Sequence, residues 1–433
     1  MTYLGLYALQ HRGQEGAGIV ASDGRHLIQE RGLGLVNEVF HHEEKIRRLS
    51  GIHAIGHVRY STQGDDILKN VQPFLFNYSK GWLAIAHNGN LTNAVKLKRA
   101  LELSGSIFQT TSDTEIIIHL IARSTKETLV ERITDALSQV KGAFSLLFLT
   151  ENELIAVRDT YGFRPLVLGD LNGSPVVASE TSAFDLMGAH YVREIEPGEI
   201  VMIGAKGIQS QKPLKKTEIK QCIFEHIYFS RPDSFVFSEN VYQMRTELGK
   251  QLAKEQPASA DMVIPVPDSG VPAAIGYAQA SGLPFEMGII RNHYVGRTFI
   301  EPEQSIRNFG VKIKLNPIRE ILDKKSLVVV DDSLVRGTTS RKIIQMLRAN
   351  GAKEIHVRIS APPTIGPCYY GIDTPTRAEL IASSNSVDEI RKFIGADSLG
   401  YLSLEGLLKT VARGRSSYCT ACFDNSYPLL PED

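Results

Sequence analysis

No cysteine precedes Cys222 in this 433-residue chain, and only Cys368, Cys419 and Cys422 follow it. Residues 1–221 therefore hold neither a disulfide nor a thiol nucleophile. An excess of one charge is missing too: 48 basic side chains stand against 48 acidic ones, which argues against nucleic acid or an anionic membrane surface as partner. No apolar run approaches the roughly 18 residues that a membrane span requires. The N-terminus has no basic stretch leading into an apolar core, and a cytoplasmic protein is expected. Internal repeats and low-complexity tracts are also lacking. What is present, 42% hydrophobic and 22% charged residues, is the composition of a globular enzyme with room for two or three domains.

Short apolar runs punctuated by glycine fill the first half. Gly18 to Ser22, Ile52 to Arg59, Leu83 to His87, Phe144 to Leu149, Leu154 to Arg158, Val176 to Ser179 and Ile200 to Ile203 read as strands, and Thr114 to Arg123 as a helix. This pattern predicts two sheets faced by helices, an α+β arrangement. The Lys-rich segment Gln209 to Lys220 reads as a linker, with a surface hairpin as the alternative, and divides the chain into domains of residues 1–217 and 218–433. Beyond it, strands at Met262 to Pro267, Pro284 to Ile290, Ser326 to Val330 and Ile355 to Ile359 alternate with longer helices. That is the α/β pattern of a parallel sheet, whose ligands bind at the C-terminal ends of the strands.

Two polar turns sit at such ends. The apolar run Leu327 to Val330 stops at Asp331-Asp332, and a turn of Gly337, Thr338, Thr339 and Ser340 leads into a helix closed by Gly351. Amides and hydroxyls beside a helix N-terminus suit an anion. Adjacent carboxylates repel unless a cation or a sugar lies between them, so a sugar phosphate with a hard cation fits better than a plain crossover turn. The loop lacks the Gly-Lys-Ser/Thr of a Walker site. The second turn, Asp268-Ser269-Gly270, follows a strand stiffened by Pro265 and Pro267. Between the two turns lie Arg291, Tyr294, Gly296, Arg297, Phe299, Arg307, Lys312 and Lys314, a basic and aromatic mixture expected of a flap that closes on a polyanion.

The loop at 326–340 resembles the phosphoribosyl pyrophosphate loop of type I phosphoribosyltransferases. Further motifs follow in order: Gln-His-Arg-Gly-Gln-Glu (10–15), Gly-His-Val-Arg-Tyr-Ser-Thr (56–62), His-Asn-Gly-Asn (87–90), Thr-Ser-Asp-Thr-Glu (111–115), Arg-Asp-Thr-Tyr-Gly-Phe-Arg-Pro-Leu (158–166), Ile-Pro-Val-Pro-Asp-Ser-Gly (264–270) and Tyr-Val-Gly-Arg-Thr-Phe-Ile (294–300). Together they resemble the glutamine phosphoribosylpyrophosphate amidotransferases over nearly the whole chain. The resemblance implies an N-terminal nucleophile hydrolase-like αββα sandwich followed by a type I phosphoribosyltransferase domain. It implies synthesis of phosphoribosylamine from phosphoribosyl pyrophosphate and glutamine or ammonia, with release of pyrophosphate, as the first committed step of purine synthesis.

Carried over by motif, Arg59 and Asp113 would hold the two ends of glutamine, and Asn88 with Gly89 would form the oxyanion hole. Asp268, Ser269, Gly270, Arg297, Asp331, Asp332, Ser333, Arg336, Gly337, Thr338 and Thr339 would bind phosphoribosyl pyrophosphate, with Ser269, Asp331 and Asp332 meeting Mg²⁺. Self-association and inhibition by purine nucleotides are expected on the same ground. The family begins, after processing, with a cysteine nucleophile, whereas this sequence matches from a point past that residue and its first strand. Either the recorded start lies inside a longer protein or free ammonia is the nitrogen source; the intact Arg59, Asn88, Gly89 and Asp113 favour the first. A missing first strand should leave a sheet edge unpaired, and Thr2 is not placed to act as nucleophile.

The spacing Cys419-Thr-Ala-Cys422 lets two thiolates reach one metal centre. By resemblance to the cluster-bearing branch, Cys222, Cys368, Cys419 and Cys422 would bind one 4Fe-4S cluster in a structural or oxygen-sensing role. A zinc site has the same ligand count and stays open on spacing alone. Two rival functions need other features: a regulatory nucleotide-binding protein wants a partner surface, and an iron–sulfur sensor on an inactive scaffold has no use for the acid pair and flap.

Overall fold

The computed structural model describes residues 1–60, 68–292, 314–374 and 376–432. The strands of the first half are β1 (Gly16–Ser22), β2 (Leu27–Leu33), β3 (His53–Arg59), β4 (Phe74–Tyr78), β5 (Gly81–Leu91) and β6 (Gly142–Leu149), followed by β7 (Leu154–Arg158), β8 (Val167–Leu171), β9 (Ser174–Ala178), β10 (His190–Glu194), β11 (Ile200–Gly204) and β12 (Gly207–Gln211). They form sheets in the orders β2-β1-β3, β10-β8-β9 and β12-β11-β7-β6-β5-β4. Small and β-branched side chains, Val20, Ile55, Ala84 and Ala86, meet Leu149 between the layers, where alternation along each strand puts them. Helices Thr114–Arg123 and Leu129–Leu137 cover the outer face of the six-stranded sheet through Ile117, Ile121 and Ile133. Helices Thr2–Ala8 and Ser182–Met187 cover the opposite side through Leu6, Ala183 and Phe184. This is the αββα sandwich.

β3 and β9 each pair with one neighbour and leave the other edge open among the described residues. Both line a cavity of about 490 Å³ with Leu147 and Leu154 among its walls. The second half is a parallel sheet ordered Met262–Pro265, Ser326–Asp331, Glu354–Ile359, Ser398–Tyr401. Val263, Ile264, Val328 to Val330 and Ile355 are buried in one core with helices on the sheet. A further short strand, β13 (Gln221–Cys222), runs parallel to Tyr418–Cys419 and ties the end of the chain to the start of this half.

Two expectations change. The first residues of the expected linker, Gln209 to Gln211, are the end of β12 on the edge of the six-stranded sheet. β12 is exposed on both faces, so it carries no apolar alternation. The expected strand Pro284 to Ile290 is reduced to a bridge from Phe285 to Val263 and a short strand, Ile289–Arg291, paired antiparallel with Leu315–Pro317.

Helices Val241–Glu255 and Val271–Ser281 cross at two glycines. A Cβ on Gly276 would lie 1.9 Å from the carbonyl oxygen of Thr246, and one on Gly249 would lie 1.9 Å from that of Ala273. Gly276→Ala is therefore expected to cost at least about 1–3 kcal/mol through overpacking against backbone, read by denaturant unfolding. An unchanged midpoint would refute the close crossing.

Candidate functional site

At the end of β3 and along β5 the first-half candidates converge. Arg59, Asn88, Gly89 and Asp113 line one cavity of about 110 Å³, together with Arg12, His57, Phe229, Gly371 and Asp373. Arg59 is buried and donates from Nη1 to the carbonyl of Asn70 at 3.1 Å. Asp113 precedes the helix Thr114–Arg123 and accepts the Leu91 N–H at 2.8 Å. Burial pushes its carboxyl up, but His87 and the bonds from Leu91 and Thr114 outweigh this and hold it below the usual range. A buried cation and a buried carboxylate in one small cavity match the two ends of an amino acid. Asn88 presents a buried Nδ2 with no hydrogen-bond partner. Gly89 has φ +157°, and a Cβ there would lie 2.0 Å from the carbonyl oxygen of Ala143, so only glycine fits. Burial lowers the His57 ring to about 4, leaving it neutral near pH 7.

In the second half, Asp331 ends a strand and Asp332 follows it, almost fully buried. Burial first, and then Asp332, push Asp331 well above the usual carboxylate range. Burial also raises Asp332, against the opposing pull of Ser269, Ser333 and Arg245. Ser269 thus lies against Asp332. Gly337 takes φ +73° and opens the helix Thr338–Ala349, so Thr338 and Thr339 occupy its first turn, where unpaired N–H groups face an anion. Asp268 is engaged in an ion pair with Arg291, and Arg336 lies 3.1 Å from Glu379. Gly270 opens the helix Val271–Ser281. Arg297 and the rest of the expected flap from residue 293 to 313 lie outside the described residues.

The four cysteines, drawn from three separated stretches of the sequence, come together. Cys222 and Cys419 are register partners in the parallel pair, and the Cys422 carbonyl accepts the N–H groups of Ile365 and Gly366 at 2.9 and 3.1 Å, bringing the Cys368 loop alongside. Burial raises Cys222 to about 12, with Cys368 a further influence. Cys422 is pushed up by burial and by Cys222, Cys419 and Cys368 together. The Tyr370 N–H points at the Cys368 sulfur, 3.3 Å away. Among the described residues, no three His, Cys, Asp or Glu side chains are grouped as ligands of one metal ion, which applies to the thiols and to the acid pair alike.

One assembly was not anticipated. Arg12 pairs with Glu180 and, at 2.7 Å, with Glu225, while Arg164 reaches Glu225 at 3.0 Å. Both guanidinium groups lie over Phe229, at 4.9 and 4.8 Å. Glu180 also accepts from Ser234 Oγ at 2.6 Å and from the Arg231 N–H at 2.9 Å. Burial opposes these charges, yet Arg12 with His11 holds Glu180 far below its usual range, and Arg12 with Arg164 lowers Glu225. The quoted motifs contained Arg12 and Arg164, but partners far along the chain, more than 160 positions away for Arg12, leave no local signal.

Comparison with known proteins bears on the same two sites. Residues 57–186 match a glutamine amidotransferase domain model, and residues 238–364 match a phosphoribosyl transferase domain model. Amidophosphoribosyltransferase 1, chloroplastic, of Arabidopsis thaliana is 55% identical over 435 aligned residues, covering 100% of this chain and 77% of that protein. Amidophosphoribosyltransferase of Bacillus subtilis is 53% identical over 433, covering 99% of this chain and 91% of that protein. A solved structure of the allosteric regulatory enzyme of purine biosynthesis superposes with a TM-score of 0.94 at 53% identity, covering 99% of this chain and 95% of that one. Glutamine phosphoribosylpyrophosphate amidotransferase from B. subtilis, complexed with ADP and GMP, gives 0.93 at 53% identity, covering 99% and 94%.

The buried network sets an acid limit on stability. Glu180 and Glu225 have lowered folded-state values, so their contribution is present above about 4.5, the value of a free glutamate, and is lost as pH falls toward the folded values. Glu180→Gln is expected to cost about 3–5 kcal/mol at pH 7 and to flatten the fall in stability below pH 4.5. Parallel pH–stability curves for the variant and the parent would contradict this.

Proposed function

The chain belongs to the amidophosphoribosyltransferase family, enzymes of the first step of purine synthesis, and from that premise we infer how its own residues divide the reaction. The observation that carries the reading is the acid pair of half-buried Asp331 and buried Asp332 beside Ser269, one loop before a helix that opens on a left-handed glycine. Burial forces both carboxyls upward, Asp331 further because of Asp332, and a divalent cation between them would relieve the repulsion that otherwise favours the protonated forms. With a hydroxyl, water and substrate oxygens, that donor set suits Mg²⁺, which keeps few protein ligands. Mg²⁺ bound there would neutralise the departing pyrophosphate.

Asp331 and Asp332 also hold the ribose hydroxyls, and Ser333, Gly337, Thr338 and Thr339 hold the 5′-phosphate. Asp268, Ser269 and Gly270 bind the pyrophosphate, and Arg336, with Arg297 of the flap motif, supplies positive charge to it. Ammonia attacks the anomeric carbon as the carbon–oxygen bond to pyrophosphate breaks; pyrophosphate leaves and the new amine loses a proton. No protein nucleophile is needed, and the site contributes orientation, charge stabilisation and exclusion of water.

In the first half, Arg59 and Asp113 clamp the carboxylate and amino ends of glutamine, and the unpartnered Asn88 amide with the Gly89 N–H forms an oxyanion hole. A domain boundary near residue 217 separates this half from the transferase. For the cysteines we propose a 4Fe-4S cluster: each thiolate meets a different iron, so four sulfurs need not converge on one point as they would for zinc. Arg164 supports a negatively charged centre, because its Nε and Nη1 are buried without hydrogen-bond partners while its charge acts on Cys222 and Cys368. When bound, the cluster would supply the charge that keeps these thiols ionised and staple the chain end to the second half.

Purine nucleotide inhibition and self-association complete the proposal, the first supported by the solved relative with ADP and GMP. Among the described residues no helix is long and apolar enough to cross a membrane, and we propose a cytoplasmic location. A regulatory or sensor role on an inactive scaffold is not favoured by relatives that carry the enzyme's name over the full chain.

Two outcomes test this reading. A polypeptide of this sequence, assayed anaerobically with Mg²⁺ and phosphoribosyl pyrophosphate, is expected to release pyrophosphate with ammonium and not with glutamine, since no thiol precedes Cys222. Glutamine-dependent release by it would refute the nucleophile assignment. Because Asp331 and Asp332 are raised, Mg²⁺ affinity should weaken as pH falls through their values and binding should release protons. Asp332→Asn should lower the ammonium-dependent rate by about a hundredfold or more; a pH-independent Mg²⁺ affinity would remove the acid pair from the site.

A further inference from the structure

We infer that the loop carrying Cys368 forms a wall of the glutamine pocket, and that Tyr369 and Gly371 within it act as positioning residues for the Asn88–Gly89 segment. The metal centre then governs the geometry of the oxyanion hole. The proposal rests on the glutamine-site and cluster readings above and adds a physical connection between them.

The connection consists of short contacts. Asn90, two residues beyond Asn88 on β5, donates from Nδ2 to the Tyr369 carbonyl at 3.0 Å. Gly371 takes φ +94°, and a Cβ on it would stand 3.0 Å from both the Cα and the carbonyl carbon of Gly89. On its other side Gly89 is held against Ala143, its near neighbour across the β5–β6 ladder. The strand carrying the oxyanion donors is thus clamped between β6 and a loop from the other half of the chain. Gly371 and Asp373 line the same cavity as Arg59 and Asp113.

The loop is fixed from the cysteine side. The Cys368 N–H donates to Thr374 Oγ1 at 2.6 Å, and the Tyr370 N–H approaches the Cys368 sulfur. Tyr370 stacks on Phe163 with ring centroids 4.3 Å apart, and its hydroxyl donates to the Leu429 carbonyl at 2.6 Å. Tyr427 donates to the Pro367 carbonyl at 2.7 Å. Two residues, Tyr369 and Tyr370, separate Cys368 from Gly371, so displacement of the Cys368 sulfur is passed to Gly89 through a short, crowded backbone. Release of the centre would therefore loosen the glutamine half first.

Hydrogen exchange with mass-spectrometric readout on the full chain, purified anaerobically, tests this without relying on turnover. Cys368→Ser is expected to raise exchange at residues 88–91 by about fivefold or more, as loss of a buried hydrogen bond implies, while Ser326 to Asp331 keeps its protection. Asn90→Ala and Gly371→Ala, which leave all four cysteines in place, are expected to give the same local rise with the visible absorption of the centre unchanged. Unaltered exchange at 88–91 in Asn90→Ala and Gly371→Ala would overturn the clamp, and a uniform loss of protection in Cys368→Ser would overturn the link to the centre. Protein isolated without iron would count against the cluster reading, while the two alanine variants would still decide the clamp.

Discussion

A guanidinium buried between two carboxylates constrains the rest of this molecule. Arg12 belongs to the first half, as does Glu180, whereas Glu225 follows directly on the strand that holds Cys222. Removing these charges from water is expensive and is offset only by complete pairing. The two carboxylates are accordingly met by a second arginine, two serine hydroxyls and a backbone amide, and the Arg12 guanidinium lies over the ring of Phe229. Sliding the halves apart would expose unpaired buried charge, so the relative position of the two sites is fixed by electrostatics as well as by packing.

From that anchor the chemistry follows in two directions. Toward the first half, Arg12 lines the same cavity as Arg59 and Asp113, a polar enclosure shaped for a zwitterion. Toward the second, Arg164 turns its charge from Glu225 to the thiols of Cys222 and Cys368. The cysteine region then returns to the first half through Tyr369 and Gly371. The acid pair stands apart at the ends of a parallel sheet, where geometry places ligand sites in such folds.

The placement of the acid pair and of the glycine turn was legible because its requirements are local. A carboxylate pair after an apolar run, and a glycine before a helix, are consequences of short-range chemistry, and Asp331, Asp332 and Gly337 stand where that chemistry puts them. The helix Thr114–Arg123 and the strand Leu154–Arg158 were legible to their ends for the same reason. Long-range pairing was not: nothing near Arg12 points to Glu180 or Glu225, and nothing near Gly371 points to Gly89. The edge strand β12 hid in a polar linker because both its faces meet water. The segment after Pro284 meets the parallel sheet at Phe285 alone and then turns away to pair with Leu315–Pro317, a long-range choice that composition does not show.

The most direct test is anomalous diffraction at the iron edge from anaerobically grown crystals holding phosphoribosyl pyrophosphate and Mg²⁺. The account predicts iron enclosed by Cys222, Cys368, Cys419 and Cys422, with the sugar phosphate seated against Asp331, Asp332 and the first turn of the Thr338–Ala349 helix. A single non-iron metal among the cysteines, or substrate bound away from the acid pair, would contradict it.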